Sequence, residues 1–403
     1  MAAPPNVIER TSTLSASAEE ALAWHARPGA LERLTPPWER TEVVAHVRYQ
    51  VEPLGPEASR YTLRAAAGTR LARSRAERLL AYRHATLRED LAAHARFRDR
   101  AALQIAVTGA SGLLGSALAP FLTTGGHRVA PVSRRPKSPD TIRWDPSSGA
   151  TDTSSFEGLD ALVHLAGENI GARWTRERKR RIRESRIAGT RQLAEALARL
   201  KRPPAVLVAA SAMGIYGDRG DEILTEESVP PGSPADFLVE VGREWEAAAD
   251  PAREAGIRVV HLRFGLVLTP SGGALGRMLP AFRLGVGGPL GNGRQWVSWI
   301  SIDDAIGAMH HALLTASLSG SFNTAAPEPV TSRDFAATLG RVLRRPARLP
   351  APAPALRLLF GEMADTALLG SQRLSPARLL ASGYSFRHPR LEDAMRHVLG
   401  RPW

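Results

Sequence analysis

Thr108-Gly109-Ala110-Ser111-Gly112-Leu113-Leu114-Gly115 is the stretch on which the fold turns. It follows the β-rich run Leu103-Gln104-Ile105-Ala106-Val107-Thr108 and opens a helical pattern that ends in Gly125-Gly126. A glycine fingerprint between a strand and a helix is the context that binds a dinucleotide. Gly109 permits the tight turn, Gly112 lets backbone approach a pyrophosphate, and Gly115 lets the helix pack closely on its strand. The new helix N-terminus offers N–H groups and a positive dipole to the anion. The cofactor-binding set expected here is Thr108, Gly109, Ser111, Gly112, Leu113, Leu114 and Gly115.

Working outward, HRVAPVS (127–133) reads as a second strand and ALVHLAG (161–167) as a third. A long helix over 174–200, the strand AVLVAAS (205–211), a helix over 235–255 and the strand IRVVHLRFG (257–265) follow. Strands alternating with helices predict a Rossmann-type, doubly wound parallel α/β sheet. Beyond Thr269 the pattern loosens into Gly- and Pro-rich loops and short helices, as expected of a smaller C-terminal substrate lobe. The second strand ends in Ser133-Arg134-Arg135, some 24 residues past Gly109, with no carboxylate to hold a ribose 2′-hydroxyl. A guanidinium takes a 2′-phosphate bidentately, so the expected cofactor is NADP, with NAD the lesser alternative. His164 ends the third strand and is expected to pack beside the cofactor; Glu168 and Asn169 should emerge at the carboxyl edge, where ligands bind.

Residues 1 to about 100 differ. Val43, Val47, Tyr49 and Val51, then Tyr61 and Leu63, alternate around Pro53-Leu54-Gly55-Pro56, a hairpin signal, and residues 70–98 form an arginine-studded helical run. The whole chain of 403 residues is 43% apolar, 23% charged and 6% aromatic, an ordinary globular balance with no apolar run long enough for a membrane helix. MAAPPNVIER has no basic segment leading into an apolar one, so the expected compartment is the cytoplasm. The absence of cysteine removes disulfides, thiolate metal sites and cysteine nucleophiles, and no metal ligand set is expected. A net charge of +13 would favour nucleic acid, but only Lys137, Lys179 and Lys201 among 53 basic residues are lysine, a compositional bias toward arginine rather than a phosphate footprint. The expected partners are a small-molecule substrate and, for an oligomer, a second copy in a homodimer, with neither nucleic acid nor membrane.

Longer strings carry a resemblance. TGASGLLG (108–115), HLAGENI (164–170), RWTRERKRRIRESRIAGT (173–190), SAMGIYGDRGDE (211–222), DFLVEVGREWE (236–246), RFGLVL (263–268) and GNGRQWVSWISIDD (291–304) resemble the extended short-chain dehydrogenase/reductase superfamily. The closer likeness is to its epimerase/dehydratase-like branch, the cell-division-inhibitor-like nucleotide-sugar epimerase family. The tail from 345 to 400 resembles that family's C-terminal domain of unknown function, and ERTSTLSASAEEALAWHARPGALERLTPPW resembles the start of a lipid-transfer-like helix-grip domain. The implied organisation is a truncated α+β appendage over 1–100, an NAD(P)-binding domain over 101–270, and a substrate lobe with the family domain over 271–403.

The resemblance implies that Leu165, Ala166 and Gly167 join His164 along the cofactor, and that Arg263, Arg294 and Trp296, with Glu168 and Asn169, bind substrate. It also implies a catalytic tyrosine, a lysine four residues on, and an upstream serine. Ser211 matches the serine, but the tyrosine position falls near Asp236 or Phe237 and the lysine near Glu240 or Val241. Tyr216 is the phenol left to pair with Ser211, and Arg219 is the nearby cation available to lower its pKa. Helix 174–200 carries an apolar stripe of Ile182, Leu193, Leu197 and Leu200 with Arg176, Arg178, Lys179, Arg180, Arg181, Arg183 and Arg186 around it, read as a solvated basic face or as a welcome for an anionic substrate. The function expected is an NADP-dependent oxidoreductase or epimerase acting on a small polar, nucleotide-sugar-like substrate. A nucleotide-binding regulator that has lost catalysis is the alternative, and a lipid-handling module the third reading.

Overall fold

The computed structural model describes residues 7–39, 47–66, 69–136, 138–146, 153–229 and 236–401. The chain divides into two compact units: Met1–Ala102 with Ala117–Arg128 and Arg396–Trp403, and Leu103–Ser116 with Val129–Met395. In the first, β1 (Val7–Leu14), β3 (Ala58–Ala66) and β2 (Arg48–Gly55) form an antiparallel sheet in that order. The helix Arg70–Ala95, capped by Thr69, buries Leu79, Tyr82, Leu87 and Leu91. The hairpin turn falls at Pro56–Glu57 rather than earlier, because Pro53 is absorbed as an irregularity in β2. Val43 lies outside the described residues.

The second unit holds a seven-stranded sheet. Its strands are β4 (Gln104–Thr108), β5 (Arg128–Ser133), β6 (Ile142–Arg143), β7 (Ala161–His164), β8 (Val206–Ala212), β10 (Arg258–Phe264) and β14 (Gly320–Thr324). Their spatial order is β14-β10-β8-β7-β4-β5-β6, and pairs such as β4–β7, β7–β8 and β10–β14 are parallel. Chain order reverses between β4 and β7, the switch point at which such sheets open a ligand crevice. The fold is Rossmann-like. The helix Arg176–Ala198 buries Ile182, Leu193 and Leu197, and Leu200 just past its end is buried too.

Residues 235–255 form two helices, Phe237–Ala247 and Asp250–Glu254, instead of one. Pro251 has no N–H to continue the first helix and instead starts the second. The lobe after Thr269 contributes more strand than its loops suggest: β13 (Trp299–Ser301) pairs with β11 (Leu266–Leu268), β12 (Trp296–Val297) with β15 (Val330–Thr331), and β16 (Arg373–Leu374) with β9 (Ile223–Leu224). Ser301 caps the helix Ile302–Leu314 by accepting from the Asp304 N–H at 2.9 Å. The buried Asp304 carboxylate accepts from the backbone N–H groups of Arg387 and His388 at 2.6 and 3.1 Å, tying the C-terminal segment to that helix. Among the described residues no helix is long and apolar enough to cross a membrane.

Candidate functional site

At the end of β4 the chain enters its turn through Gly109, whose φ is 68°, a left-handed conformation that disfavours a side chain. A Cβ there would also lie 2.8 Å from the Leu165 carbonyl carbon. Gly115 is packed still more tightly: its Cβ would fall 2.6 Å from Ala110 Cα, so it brings the helix start onto the turn rather than onto the strand. Gly112 is different, because a Cβ there would meet only the Gly109 carbonyl, at 3.1 Å. Its own N–H closes the turn on that carbonyl at 2.9 Å, while the N–H groups of Leu113 and Leu114 donate to no acceptor among the described residues. Free N–H groups at a helix start beside a bare Cα suit the diphosphate of a dinucleotide.

Beneath the turn runs a neutral buried chain. Thr108 Oγ1 accepts from the N–H groups of Leu165 and Ala166 at 3.1 and 3.2 Å, so its own proton goes to His164 Nδ1 at 2.7 Å. The other ring nitrogen therefore carries the hydrogen and donates to Thr190 Oγ1 at 3.1 Å, which also accepts from Trp245 Nε1 at 3.0 Å. Burial pushes the His164 pKa down to about 4, so the ring is neutral and holds Leu165, Ala166 and Gly167 in place as they leave β7. At the end of β5, Arg134 and Arg135 are exposed and in no ion pair among the described residues. Ser133 Oγ accepts from the Arg135 N–H at 3.2 Å and so shapes that corner.

The residues expected to do acid/base chemistry, Ser211 and Tyr216, are joined through Glu246 and Arg263. Ser211, Arg263 and Asn323 are register neighbours across β8, β10 and β14. Ser211 donates to Glu246 Oε1 at 2.7 Å; Arg263 grips both oxygens of the same carboxylate at 2.8 Å; Ser321 donates to Oε2 at 2.8 Å. Arg263 also donates to the Tyr216 hydroxyl at 2.7 Å, and that hydroxyl donates to Asn323 Oδ1 at 2.8 Å. Burial alone would raise the Glu246 carboxyl; the Arg263 hydrogen bonds, with His261 and Ser211, reverse this and hold it at about 2. Burial raises the Tyr216 phenol above its ordinary value even against Arg263.

Three expectations are corrected by this geometry. Tyr216 is fully buried, so its phenol has no open face for a substrate. Its cationic neighbour is Arg263; Arg219 pairs instead with Glu222 at 2.7 and 2.8 Å. Arg263 is buried and spent on Glu246, which removes it from the substrate-binding set. Where the resemblance expects the family's tyrosine, at Asp236 or Phe237, Phe237 packs edge-on to Trp174, with ring centroids 5.2 Å apart. Asp236 caps that helix, Glu240 is exposed and Val241 is buried. Glu246 escapes a reading of the sequence because its partners are far off in the chain. The available signal is its place on the buried helix stripe, four residues past Gly242 and seven past Val239.

Glu168 and Asn169 do emerge past β7, in a loop where Asn169 Oδ1 accepts from the Gly171 N–H at 2.8 Å. Trp296 donates to Asp221 at 2.7 Å and carries Arg373 over its ring at 4.1 Å, while the Arg294 side chain is exposed. Neither belongs to the Ser211–Glu246–Arg263 network.

Comparison with known proteins agrees with this architecture. The model of the NAD dependent epimerase/dehydratase family matches residues 105–325, and that of a domain of unknown function, DUF1731, matches residues 351–398. The epimerase family protein Mb2239 of Mycobacterium bovis is 40% identical over 300 residues, which are 74% of this chain and 98% of that one. The crystal structure of a nucleoside-diphosphate sugar epimerase from Corynebacterium glutamicum superposes with a TM-score of 0.79 at 32% identity, covering 98% of this chain and 90% of that one. The structure of the human epimerase family protein SDR39U1 with NADPH has a TM-score of 0.67 at 36% identity, over 73% of this chain and 99% of that one.

Proposed function

Because this chain belongs to the NAD dependent epimerase/dehydratase family, we propose that it is a cytoplasmic NADP-dependent oxidoreductase or epimerase acting on a small polar substrate of nucleotide-sugar type. The observation that carries the cofactor choice is the corner Ser133-Arg134-Arg135, with two exposed, unpaired guanidiniums and no carboxylate. The human relative solved with NADPH supports the same choice. In this reading Gly109 and Ser111 to Gly115 hold the pyrophosphate, Arg134 and Arg135 take the 2′-phosphate, and Leu165 to Gly167 line the cofactor; Thr108 and His164, expected to touch it, are buried with their polar atoms bonded to protein and support the site from beneath. Glu168, Asn169, Arg294 and Trp296 are left for the substrate. Bound cofactor would supply hydride chemistry; the chain's own part is to bind, orient and exclude water.

A second reading, a cofactor-binding regulator without turnover, is favoured by the stretch 236–241, where the resemblance expects a tyrosine and a lysine and neither stands. Fluorescence titration tests the cofactor. A charge-assisted contact contributes about 1.5 to 3 kcal/mol, so NADPH should bind about one to two decades more tightly than NADH, and Arg134→Ala with Arg135→Ala should erase the difference. Equal affinities in the unaltered protein would refute the NADP assignment. Binding without turnover on a panel of nucleotide sugars, ketones and aldehydes would select the regulatory reading.

A further inference from the structure

The basic helix Arg176–Ala198 has two unlike sides. One is a ladder of matched pairs: Lys179 with Glu362 at 2.8 Å, Arg180 with Glu177 and Glu184 at 2.8 Å each, and Arg183 with Glu244. The other faces the loop Gly167–Gly171, and there the charges do not balance. Arg178 donates to the Asn169 carbonyl at 2.8 Å, with its head 3.7 Å from Glu168 Oε1. Arg181 Nε stands 3.9 Å from that same oxygen. Arg186 donates to the Glu168 carbonyl at 3.0 Å. From the neighbouring helix Gly273–Arg283, Arg277 Nη1 approaches so closely that a Cβ on Gly171 would lie 2.6 Å from it.

Four guanidiniums thus surround one loop. Among the described residues their carboxylate partners are Glu168, and Glu177 at 4.0 Å from Arg181, which Arg180 already holds. Arg186 is the deepest, lying 5.0 Å over the Trp245 ring in no ion pair among the described residues. Burial pushes its pKa down to about 10, against the opposing pull of the Glu168 charge. Desolvated cations that share one close carboxylate are under-compensated, and the balance is restored when an anion enters. The loop lies just past β7, on the crevice side of the switch point. Planar guanidinium forks match phosphate oxygens in pairs.

The geometry points to an oxyanion site for the substrate at the Gly167–Gly171 loop, formed by Arg178, Arg181, Arg186 and Arg277 and distinct from the glycine turn, taking a phosphate or diphosphate group. The inference rests on the reading of the chain as a cofactor-dependent enzyme and names the part of the substrate that this enzyme would hold.

Calorimetric titration of inorganic pyrophosphate and of UDP into the NADPH-saturated protein tests it. Pyrophosphate should bind with the cofactor already in place. Its dissociation constant should rise about ten- to a hundred-fold in Arg186→Gln, and also in Arg277→Gln, an exposed position that leaves the fold intact, while NADPH affinity stays the same. UDP binding more tightly than pyrophosphate would identify a nucleotide substrate; equal binding would identify a simple phosphate ester. Both support the site. Absence of pyrophosphate binding, affinity unchanged in both variants, or competition between pyrophosphate and NADPH would overturn it. Failure of NADPH itself to bind would instead strike the proposed function, and the same pyrophosphate titrations on the cofactor-free protein and its variants would still decide the oxyanion site.

Discussion

At the edge of β4 and β7 the polar side chains are neutral: Thr108, His164 and Thr190 pass hydrogen bonds along a line beneath a turn whose Gly109, Gly112 and Gly115 present bare backbone. At the edge of β8, β10 and β14 the equivalent places hold Ser211, Arg263 and Asn323, and a helix carboxylate, Glu246, binds the first two. The neutral line props up a surface made of backbone, which a ligand can use. The charged network saturates its own donors and acceptors, so the groups with the richest chemistry in the sequence are the least available to a substrate. Ionisable residues gathered at a sheet edge are evidence of a site only when their partners leave them a free face.

The largest effect should come from opening the charged half. Removing one partner of a buried pair costs about 3 to 5 kcal/mol, so Glu246→Ala should lower stability to urea by that order, leaving Arg263 buried and unmatched. Acid tests the same residue without a large cavity. The Glu246 carboxyl is held at about 2, below the 4.5 of a free glutamate, so its contribution is complete above pH 4.5 and is lost as pH falls toward 2. Glu246→Gln should lack that part of the acid transition; an unchanged transition would mean that ionised Glu246 does not stabilise this edge.

Next in size is the neutral half. Gly112→Val places a side chain where only the Gly109 carbonyl is near, at 3.1 Å, so the chain should still fold, with a small loss of stability as that carbonyl gives way. NADPH at about 100 times its dissociation constant adds about 2.7 kcal/mol to the unaltered protein, and the variant should lose all of it. Persistence of that thermal shift would show that the bare turn is not the cofactor's seat, and the contrast between the two edges would collapse. The smallest effect sharpens the contrast. Tyr216→Phe strands Arg263 Nη1 and Asn323 Oδ1 at a cost of about 1 to 3 kcal/mol, with NADPH affinity unaltered. If turnover is found, it should fall in this variant no further than stability explains; a specific collapse of kcat would return the phenol to the chemistry.

The turn and the strand–helix alternation are legible in the sequence because their causes are local. Gly109 needs its left-handed φ within the span of a single turn, and the stripe Ile182, Leu193 and Leu197 repeats along one helix. The charged network has no such local sign. Ser211 and Glu246 stand 35 residues apart, and Arg263 meets Asn323 only through the register of β10 on β14. Tyr216 reads as an available phenol because sequence spacing carries its neighbours but not its burial. The basic helix is legible in composition and illegible in function: Arg180 and Arg186 look alike in the chain, yet one sits between two glutamates and the other lies over a tryptophan ring. The break before Asp250-Pro251 is readable in principle, since proline at a helix start is a local rule.

The resemblance puts the superfamily's tyrosine near Asp236 or Phe237 and its lysine near Glu240 or Val241, and the packing of Val241 limits one way of putting them back. Restoring the superfamily's pair takes only Phe237→Tyr and Val241→Lys on paper. Val241 is buried, however, and Gly242 beside it presses so closely on Ile215 that a Cβ there would lie 3.0 Å from Ile215 Cβ. A lysine in that position would be stripped of water and shed its proton, and a neutral amine does nothing to acidify a phenol. Grafting the pair back is therefore not expected to confer turnover, and the proton donor of any reaction here has to stand elsewhere on the sheet edge.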